Sequence, residues 1–485
     1  MNISQVLQNL GKINILDLPN ANSKINQSSK FVLSEDESMT DYGNGQRFIN
    51  QHGDKVFYSN SENTWYLWNG KAWKHDVNKQ VEVYAQLTAR SIFGEVEKQK
   101  DTKYREDLRK WGRKSLDHAR IKKMLLSANI HLSVSPEQFD ANGWLLNVGN
   151  GTVDLRTGTL MPHRREDLNS KLSKVEYHEG AVSPIWIEFL DRIFDGNVDL
   201  VRYVQKMVGY CLTGDVGEKC FFILLGENGD NGKTVFVNVL MALLSEYATN
   251  MLIDTLLQRK PGGASNDIVR LKGARYISCS EANRQYTFDE ALVKRLTGSD
   301  PVTARALYKD FITFTPVGKI VIATNRIPRF DKTDTAFDSR LKMIPFDVTI
   351  PKEEQDKNLF DKLMEQADGI LAWAVEGCLL WQNEGLGPVP TKLIPESGFP
   401  LVSSVEGFIA TCCVQGGSCR VSHKDLYDGY LLYHEWVADG TEPLASSVMG
   451  AELSKLGLAA EHGRDGNYRI GIALRTAGSG DPVLT

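Results

Sequence analysis

The chain is poor in the features that mark several protein classes. Its 485 residues include only seven cysteines, too few and too scattered for a disulfide framework. Cys211, Cys220, Cys279 and Cys378 sit in apolar or helical surroundings and read as reduced core residues. No run reaches the ~18 uncharged apolar residues that a membrane helix needs. The opening MNISQVLQNLGKINILDLPN has no basic start followed by a long apolar core, so no secretory leader is expected. A cytoplasmic setting and no membrane contact fit these absences. Basic excess is missing too: 56 Lys and Arg stand against 61 Asp and Glu, a net charge of −5. A protein that coats duplex DNA is usually basic. Any nucleic-acid contact here must therefore be a local patch, loop or channel.

What is present is ordinary for a globular protein, 42% hydrophobic and 24% charged residues. At roughly 150 residues per domain, about three domains are expected. Residues 1–45 read as a polar arm, and 46–140 as a small domain. Within it, Trp65 to Trp73 looks like a hairpin, an aromatic strand and a second strand joined at Asn69-Gly70. These aromatics read as the filling of a small core, with base stacking as the alternative. Residues 98–123 are charge-dense and helical in pattern, a solvated face or a nucleic-acid surface. Asn147 to Gly158 reads as short strands joined by tight turns. Helical patterns follow from Pro184 to Leu212, and strands alternate with helices from about 215 to 350. Residues 351–392 are closing helices and a proline-marked linker. The segment 393–485 reads as a small helical domain with a hairpin at Asp465-Gly466, suited to a wing.

The strongest signal lies at 221–240. An apolar strand, Phe221 to Leu225, runs into Gly226-Glu227-Asn228-Gly229-Asp230-Asn231-Gly232-Lys233-Thr234, and an apolar helix follows. This is the context that a phosphate-binding P-loop requires. Glycines let backbone N–H groups turn toward phosphate oxygens, and the helix start adds its partial positive charge. Lys233 is expected to reach the β- and γ-phosphates of ATP, and the Thr234 hydroxyl to ligate Mg²⁺. Gly226, Asn228, Gly229, Asp230, Asn231 and Gly232 complete the expected nucleotide-binding set. The spacing departs from the usual one, which would put the first glycine at position 227, where Glu stands.

A second strand, Ala274 to Ser280, ends at Glu281, the candidate general base. Ser280 stands where many such motors carry another acid. A third strand, Lys319 to Thr324, ends at Asn325, whose amide suits a water-positioning sensor of the γ-phosphate. Its plain alternative is a turn cap. Beyond it lies Arg340, a candidate arginine finger acting on a neighbouring subunit's nucleotide, or else a surface ion-pair partner.

Taken in this order, the residues resemble superfamily 3 helicases, specifically the poxvirus D5-like and phage/plasmid primase C-terminal (P4-type) family. The segment Lys294 to Lys309 is similar to the family's motif between acid strand and sensor strand, which carries a hairpin into a ring's channel. The resemblance places Arg305, Tyr308 and Lys309 at its tip, touching nucleic acid. Asn147–Gly158, Pro184-Ile185-Trp186 and Val208–Gly214 look like the helical domain ahead of the motor (141–214). Gly369–Ala374 and Glu384-Gly385-Leu386 look like its closing helices. Leu426–Tyr430 and Arg469–Ile472 look like its winged-helix region.

The fold implied is an α/β, AAA+-like P-loop ATPase core. A mainly helical domain precedes it and a winged-helix-like domain follows. The function implied is an ATP-dependent, ring-forming DNA helicase, a homo-hexamer translocating on single-stranded DNA. Fork or origin DNA and a separate primase or polymerase would be its partners, in a phage, virus or plasmid-like element. A translocase or loader without strand separation, a nucleotide-driven switch and an origin-binding initiator share most of these motifs.

Family members often carry a primase-polymerase domain with paired acids for two-metal chemistry. No Asp-x-Asp occurs before residue 141, so the helicase part alone is expected. No His-x-His occurs either, which argues against a nickase. Cys412, Cys413, Cys419 and His423 cluster near the end. Their spacing fits no common zinc site, and a buried reduced cluster is expected.

Overall fold

The computed structural model describes residues 33–226, 229–258, 266–280, 287–305, 311–325, 328, 330, 334–390, 405–437, 443–463 and 466–474. The chain divides into two compact units, Met1–Val389 and Pro390–Thr485.

The first unit opens earlier than the polar composition suggests. A short helix, Glu35–Ser38, carries a capping box on Ser34, and a second helix spans Asp41–His52. The expected arm boundary at 45 therefore falls inside a helix. Its buried positions are Gly43, Asn44, Gly45, Gln46, Arg47 and Phe48, mostly small or polar, so no apolar stripe betrays it. Polar pairing takes the place of the stripe. The Asn44 amide donates to Ser115 at 2.9 Å. Arg47 grips both carboxylate oxygens of Glu95, through Nε at 2.7 Å and Nη2 at 2.6 Å.

Strands β1 (Val56–Ser59), β2 (Thr64–Trp68) and β3 (Trp73–His75) form an antiparallel meander. The β2–β3 turn is the one expected. The Asn69 side chain accepts from the Lys71 and Ala72 amides, and Gly70 adopts φ +94°, a left-handed conformation that glycine takes without strain. Trp73 is 1% exposed and Tyr66 4%, and Tyr66 stacks on Phe139 at 4.5 Å. These two aromatics fill a core. The charge-dense stretch is two helices, Thr102–Ser115 and His118–Asn129, separated at Leu116-Asp117.

The segment 141–214, expected to be mainly helical, begins with a second meander: β4 (Leu145–Val148), β5 (Gly151–Asp154) and β6 (Thr159–Met161). Helices Pro184–Ile193 and Val198–Leu212 follow. The latter packs against Ala367–Glu384 almost backbone to backbone. A Cβ at Gly209 would lie 2.0 Å from the Cys378 nitrogen, and one at Gly377 would lie 2.1 Å from the Gln205 oxygen. Only glycine fits at that crossing.

The central sheet contains β7 (Phe221–Leu225), β8 (Ala248–Leu252), β9 (Tyr276–Ser280), β12 (Lys319–Thr324) and β13 (Leu341–Pro345). A two-stranded hairpin of β10 (Val302–Arg305) and β11 (Phe311–Phe314) lies between β9 and β12 in the chain. The sheet order is β13-β7-β12-β9-β8, and every pairing is parallel. Parallel strands are buried on both faces and read as continuous apolar runs. Phe221 to Leu224 is such a run, each residue fully buried.

At the foot of this sheet two cations are buried. Arg275 donates to the Leu212 carbonyl at 2.7 Å and the Leu145 carbonyl at 2.8 Å, under the Tyr247 ring. Lys319 donates to the carbonyls of Thr213, Asp215 and Val317. Burial pushes its ammonium down to about 8.

In the second unit, helices Val405–Cys412, His423–Val437 and Ser446–Lys455 surround strands β14 (Cys413–Ser422), β15 (Ala460–Gly463) and β16 (Gly466–Leu474). The sheet order is β14-β16-β15, antiparallel. Phe408, Leu426, Tyr430, Tyr433, Met449, Leu453 and Ile472 form its core. All seven cysteines are free thiols. Cys413 is buried, but Cys412 and Cys419 are partly exposed, so the cluster expected to be buried is only partly so. Burial pushes the Cys211, Cys220 and Cys378 thiols up to about 12. Among the described residues, no helix is long and apolar enough to cross a membrane.

Replacing Arg275 with Met keeps the apolar volume but orphans two buried carbonyls, at ~1–3 kcal/mol each. Urea unfolding of the first unit is expected to show a loss of about 2–6 kcal/mol. An unchanged midpoint would show that these two bonds do not hold the sheet to its neighbours.

Candidate functional site

Strand β7 delivers the Gly-rich loop to the carboxyl edge of the sheet. In parallel sheets ligands bind at that edge, where strand order switches direction. The chain leaves β7 for the far edge at β8, then returns to flank β7 with β12 and β13. Thr324 of β12 stands level with Leu225 of β7, so the residues just beyond each strand meet. Those residues are Gly226 and Asn325.

Lys233, the first residue of the helix Lys233–Leu244, joins them. It is 8% exposed. Its Nζ donates to the Gly226 carbonyl at 2.6 Å and to Asn325 Oδ1 at 2.8 Å. Gly226 has no room for a side chain. A Cβ there would sit 2.2 Å from the Asn231 amide nitrogen, 2.7 Å from Lys233 Nζ and 2.7 Å from the Phe346 carbonyl. The need for glycine therefore falls at 226, one position before the usual spacing, which accounts for Glu at 227.

Asp230 takes a left-handed φ of 58°, and its carbonyl accepts from Ile350 at 2.8 Å. Gly232 follows at φ +82°. A Cβ on Gly232 would lie 2.7 Å from Ile193 Cγ2, so the helix Pro184–Ile193 braces the loop directly. The helix Lys233–Leu244 has no side-chain cap and no acidic residue in its first turn. Its positive end is left for an anion. Thr234, in that first turn, is exposed, as are Gly229 and Asp230.

Other expected site residues are placed differently. Strand β9 runs beside β12 as far as Ser280, but Glu281 lies outside the described residues, as do Asn228, Tyr308 and Lys309. Arg340 precedes β13, and its carbonyl accepts from the Phe221 amide at 2.9 Å. That is the opposite end of β7 from Gly226. Within one chain, Arg340 is not brought to Lys233 and Asn325. Its Nη1 donates to the Ala336 carbonyl at 2.6 Å, and among the described residues its Nε has no acceptor. The turn ahead of it is fastened by an ion pair between Lys294 and Asp334, which holds the Asp334 carboxyl below its usual range.

Arg305 ends β10 and is exposed, with its guanidinium 5.3 Å from the centre of the Phe311 ring. Phe311 is 68% exposed, and sequence reasoning missed it. The signal was there: in Phe311-Ile312-Thr313-Phe314, Phe314 is the buried aromatic, and a short strand has room for one inward side.

Residues 45–195 match the family described as "D5 N terminal like", and residues 224–340 match a family of unknown function, DUF5906. "Putative helicase 022R" of frog virus 3 is 30% identical over 254 residues, 48% of this chain and 26% of that protein. "Primase D5" of fowlpox virus is 25% identical over 255 residues, 48% of this chain and 30% of that protein. The matched stretch is thus between a quarter and a third of each relative. The C-terminal region of NrS-1 is a looser structural likeness, with a TM-score of 0.44 at 10% identity, over 90% of this chain and all of that one.

Gly232→Ala combines a left-handed backbone with a methyl group against Ile193. A loss of about 1–3 kcal/mol is expected in thermal or urea unfolding. A substitution there without effect would mean that the helix Pro184–Ile193 does not brace the loop.

Proposed function

We propose that this chain, which is similar to D5-like primase/helicase proteins, is the ATP-driven motor of a viral-type replication helicase. One observation carries the reading: Lys233 Nζ lies 2.8 Å from Asn325 Oδ1 at the carboxyl edge of a parallel sheet. A loop lysine and a strand-end amide, 92 positions apart, share the place where a γ-phosphate would be both held and sensed.

The residues fit ATP and Mg²⁺. Gly226 lets the Lys233 ammonium and the Asn231 amide close in on the loop backbone, the helix start is uncapped, and Thr234 is exposed. In this reading Lys233 and the N–H groups of 229–234 hold the phosphates, and Thr234 offers its oxygen to the metal. Bound Mg²⁺ would supply charge neutralisation across the phosphates. Glu281 takes the proton of the attacking water, and Asn325 orients that water.

Arg340 acts on a neighbouring subunit's nucleotide. Its place at the far end of β7 from Lys233 favours a finger in trans and a ring of subunits, a hexamer by family resemblance. The β10–β11 hairpin, with Arg305 beside exposed Phe311, is the proposed contact to single-stranded DNA. Tyr308 and Lys309 would add to that contact by family resemblance alone. The helix–strand–helix–helix–strand–strand order of the second unit supports the winged-helix reading.

ATP turnover, with and without single-stranded DNA, tests the motor beside forked-duplex unwinding. Stimulated turnover is expected, abolished in Lys233→Ala and Glu281→Gln. Turnover without unwinding would favour a translocase or loader, and a Lys233→Ala chain at wild-type rate would sink the site. Arg340→Ala is expected to lose about a thousandfold or more, with partial recovery when mixed with Lys233→Ala subunits. Failure to recover would argue against a finger in trans.

A further inference from the structure

We propose that the exposed face of the helix Thr102–Ser115 is a docking surface for the phosphate backbone of duplex DNA, separate from the motor's own contact. It rests on the reading above only in taking DNA as the polyanion. This helix carries six basic residues (Lys103, Arg105, Arg109, Lys110, Arg113, Lys114) against two acidic ones (Glu106, Asp107). That is +4 over 14 residues, in a chain whose net charge is −5. A local patch of this kind is what an acidic protein needs to hold nucleic acid.

The arrangement within the helix sharpens the assignment. Glu106 and Asp107 both turn to Lys110, at 3.5 and 3.4 Å. Arg105, Arg109 and Arg113 are exposed, and among the described residues no carboxylate pairs with them. They recur every four residues, so they share one face at about 6 Å steps. Like charges at that spacing destabilise a helix. Arg113 near the helix end suits the dipole, but Arg105 near the start opposes it. Helix stability therefore does not account for the stripe. Arginine rather than lysine at all three positions suits the bidentate recognition of phosphate.

Single-strand binders add aromatic rings on which bases stack. The two rings of this helix face inward instead. The Tyr104 hydroxyl bonds Ser38 at 2.7 Å, and the Trp111 indole donates to Asn44 at 3.1 Å, with Arg120 over its ring. A convex basic face without stacking platforms fits a duplex backbone rather than a splayed strand. In the second unit, the helix Ser446–Lys455 has one basic residue, Lys455, and it is paired with Glu452 at 2.6 Å. It offers duplex phosphates far less than the arginine stripe.

The test is binding of a labelled duplex and a labelled single strand across a salt series. It compares wild type, Arg105→Gln/Arg109→Gln/Arg113→Gln, and Lys110→Gln as a paired-charge control. Thermal melting and DNA-free ATP turnover report on the fold and the motor. The triple variant is expected to melt as the wild type does and to keep its DNA-free turnover. Its duplex affinity should fall on the order of tenfold near 0.1 M salt, and its log–log salt slope by about 2.7, or 0.9 for each of three phosphates. Single-strand binding and the Lys110→Gln chain should change little. A triple variant with wild-type duplex affinity and slope overturns the proposal while leaving the motor reading intact, as does one that loses only single-strand binding. A wild-type chain that binds no duplex overturns it as well. Loss of turnover in Lys233→Ala bears on the motor alone.

Discussion

The guanidinium of Arg275, just ahead of β9, and the ammonium of Lys319, at the start of neighbouring β12, lie at the foot of the parallel sheet, and their hydrogen bonds all go to backbone carbonyls. Burying a cation is costly unless its donors are met. Here part of the compensation comes from the Leu212 and Thr213 carbonyls at the end of the helix Val198–Leu212, which have no partner within the helix and carry its negative end. The rings of Tyr247 and Tyr210 cover the charges, at 4.5 and 4.7 Å. One arrangement thus joins β9, β12, β4 and a helix end. The helix Pro184–Ile193 shares this packing, and its Ile193 touches the site of Gly232. The shape of the loop is therefore coupled to two cations at the other edge of the sheet.

Much of the fold could be read from the sequence because its central elements follow simple periodicities. Phe221 to Leu225 and Lys319 to Thr324 are continuous apolar runs of strand length, and a parallel sheet buries such runs on both faces. The Asn69-Gly70 turn announced a hairpin through its own side-chain chemistry. The helix Asp41–His52 was hidden because its buried face is built of Gly43, Asn44, Gly45 and Arg47. Polar bonds replace apolar contacts there, and periodicity has nothing to register. The β4–β6 meander was legible as strands, yet the resemblance cast its region as mainly helical. Local turn signals were the better guide.

The candidate site was legible in part. Lys233 and Asn325 stand out by their order in the chain, and the register of β7 with β12 supplies the reason they meet. The glycine requirement at 226 was not legible, since it comes from the Asn231 amide and the Phe346 carbonyl. A carbonyl 120 positions away leaves no mark in a local motif. The support given by Ile193 was invisible for the same reason. Phe311 on its own carries no local mark of its exposure, since aromatics in strands are most often core.

Lys233 and Arg340 stand at opposite ends of β7. A β-strand rises about 3.3 Å per residue, so five residues of strand put more than 13 Å between the two ends. No rotamer of Arg340 closes that distance to its own loop. If both residues serve one phosphate, two copies of the chain must share it. Among the described residues, the buried Nε of half-exposed Arg340 has no acceptor while its Nη1 donates to the Ala336 carbonyl, and a buried donor without a partner is costly. A neighbour that supplied an acidic oxygen would remove that cost. The length of β7 therefore keeps Arg340 away from Lys233 within one chain.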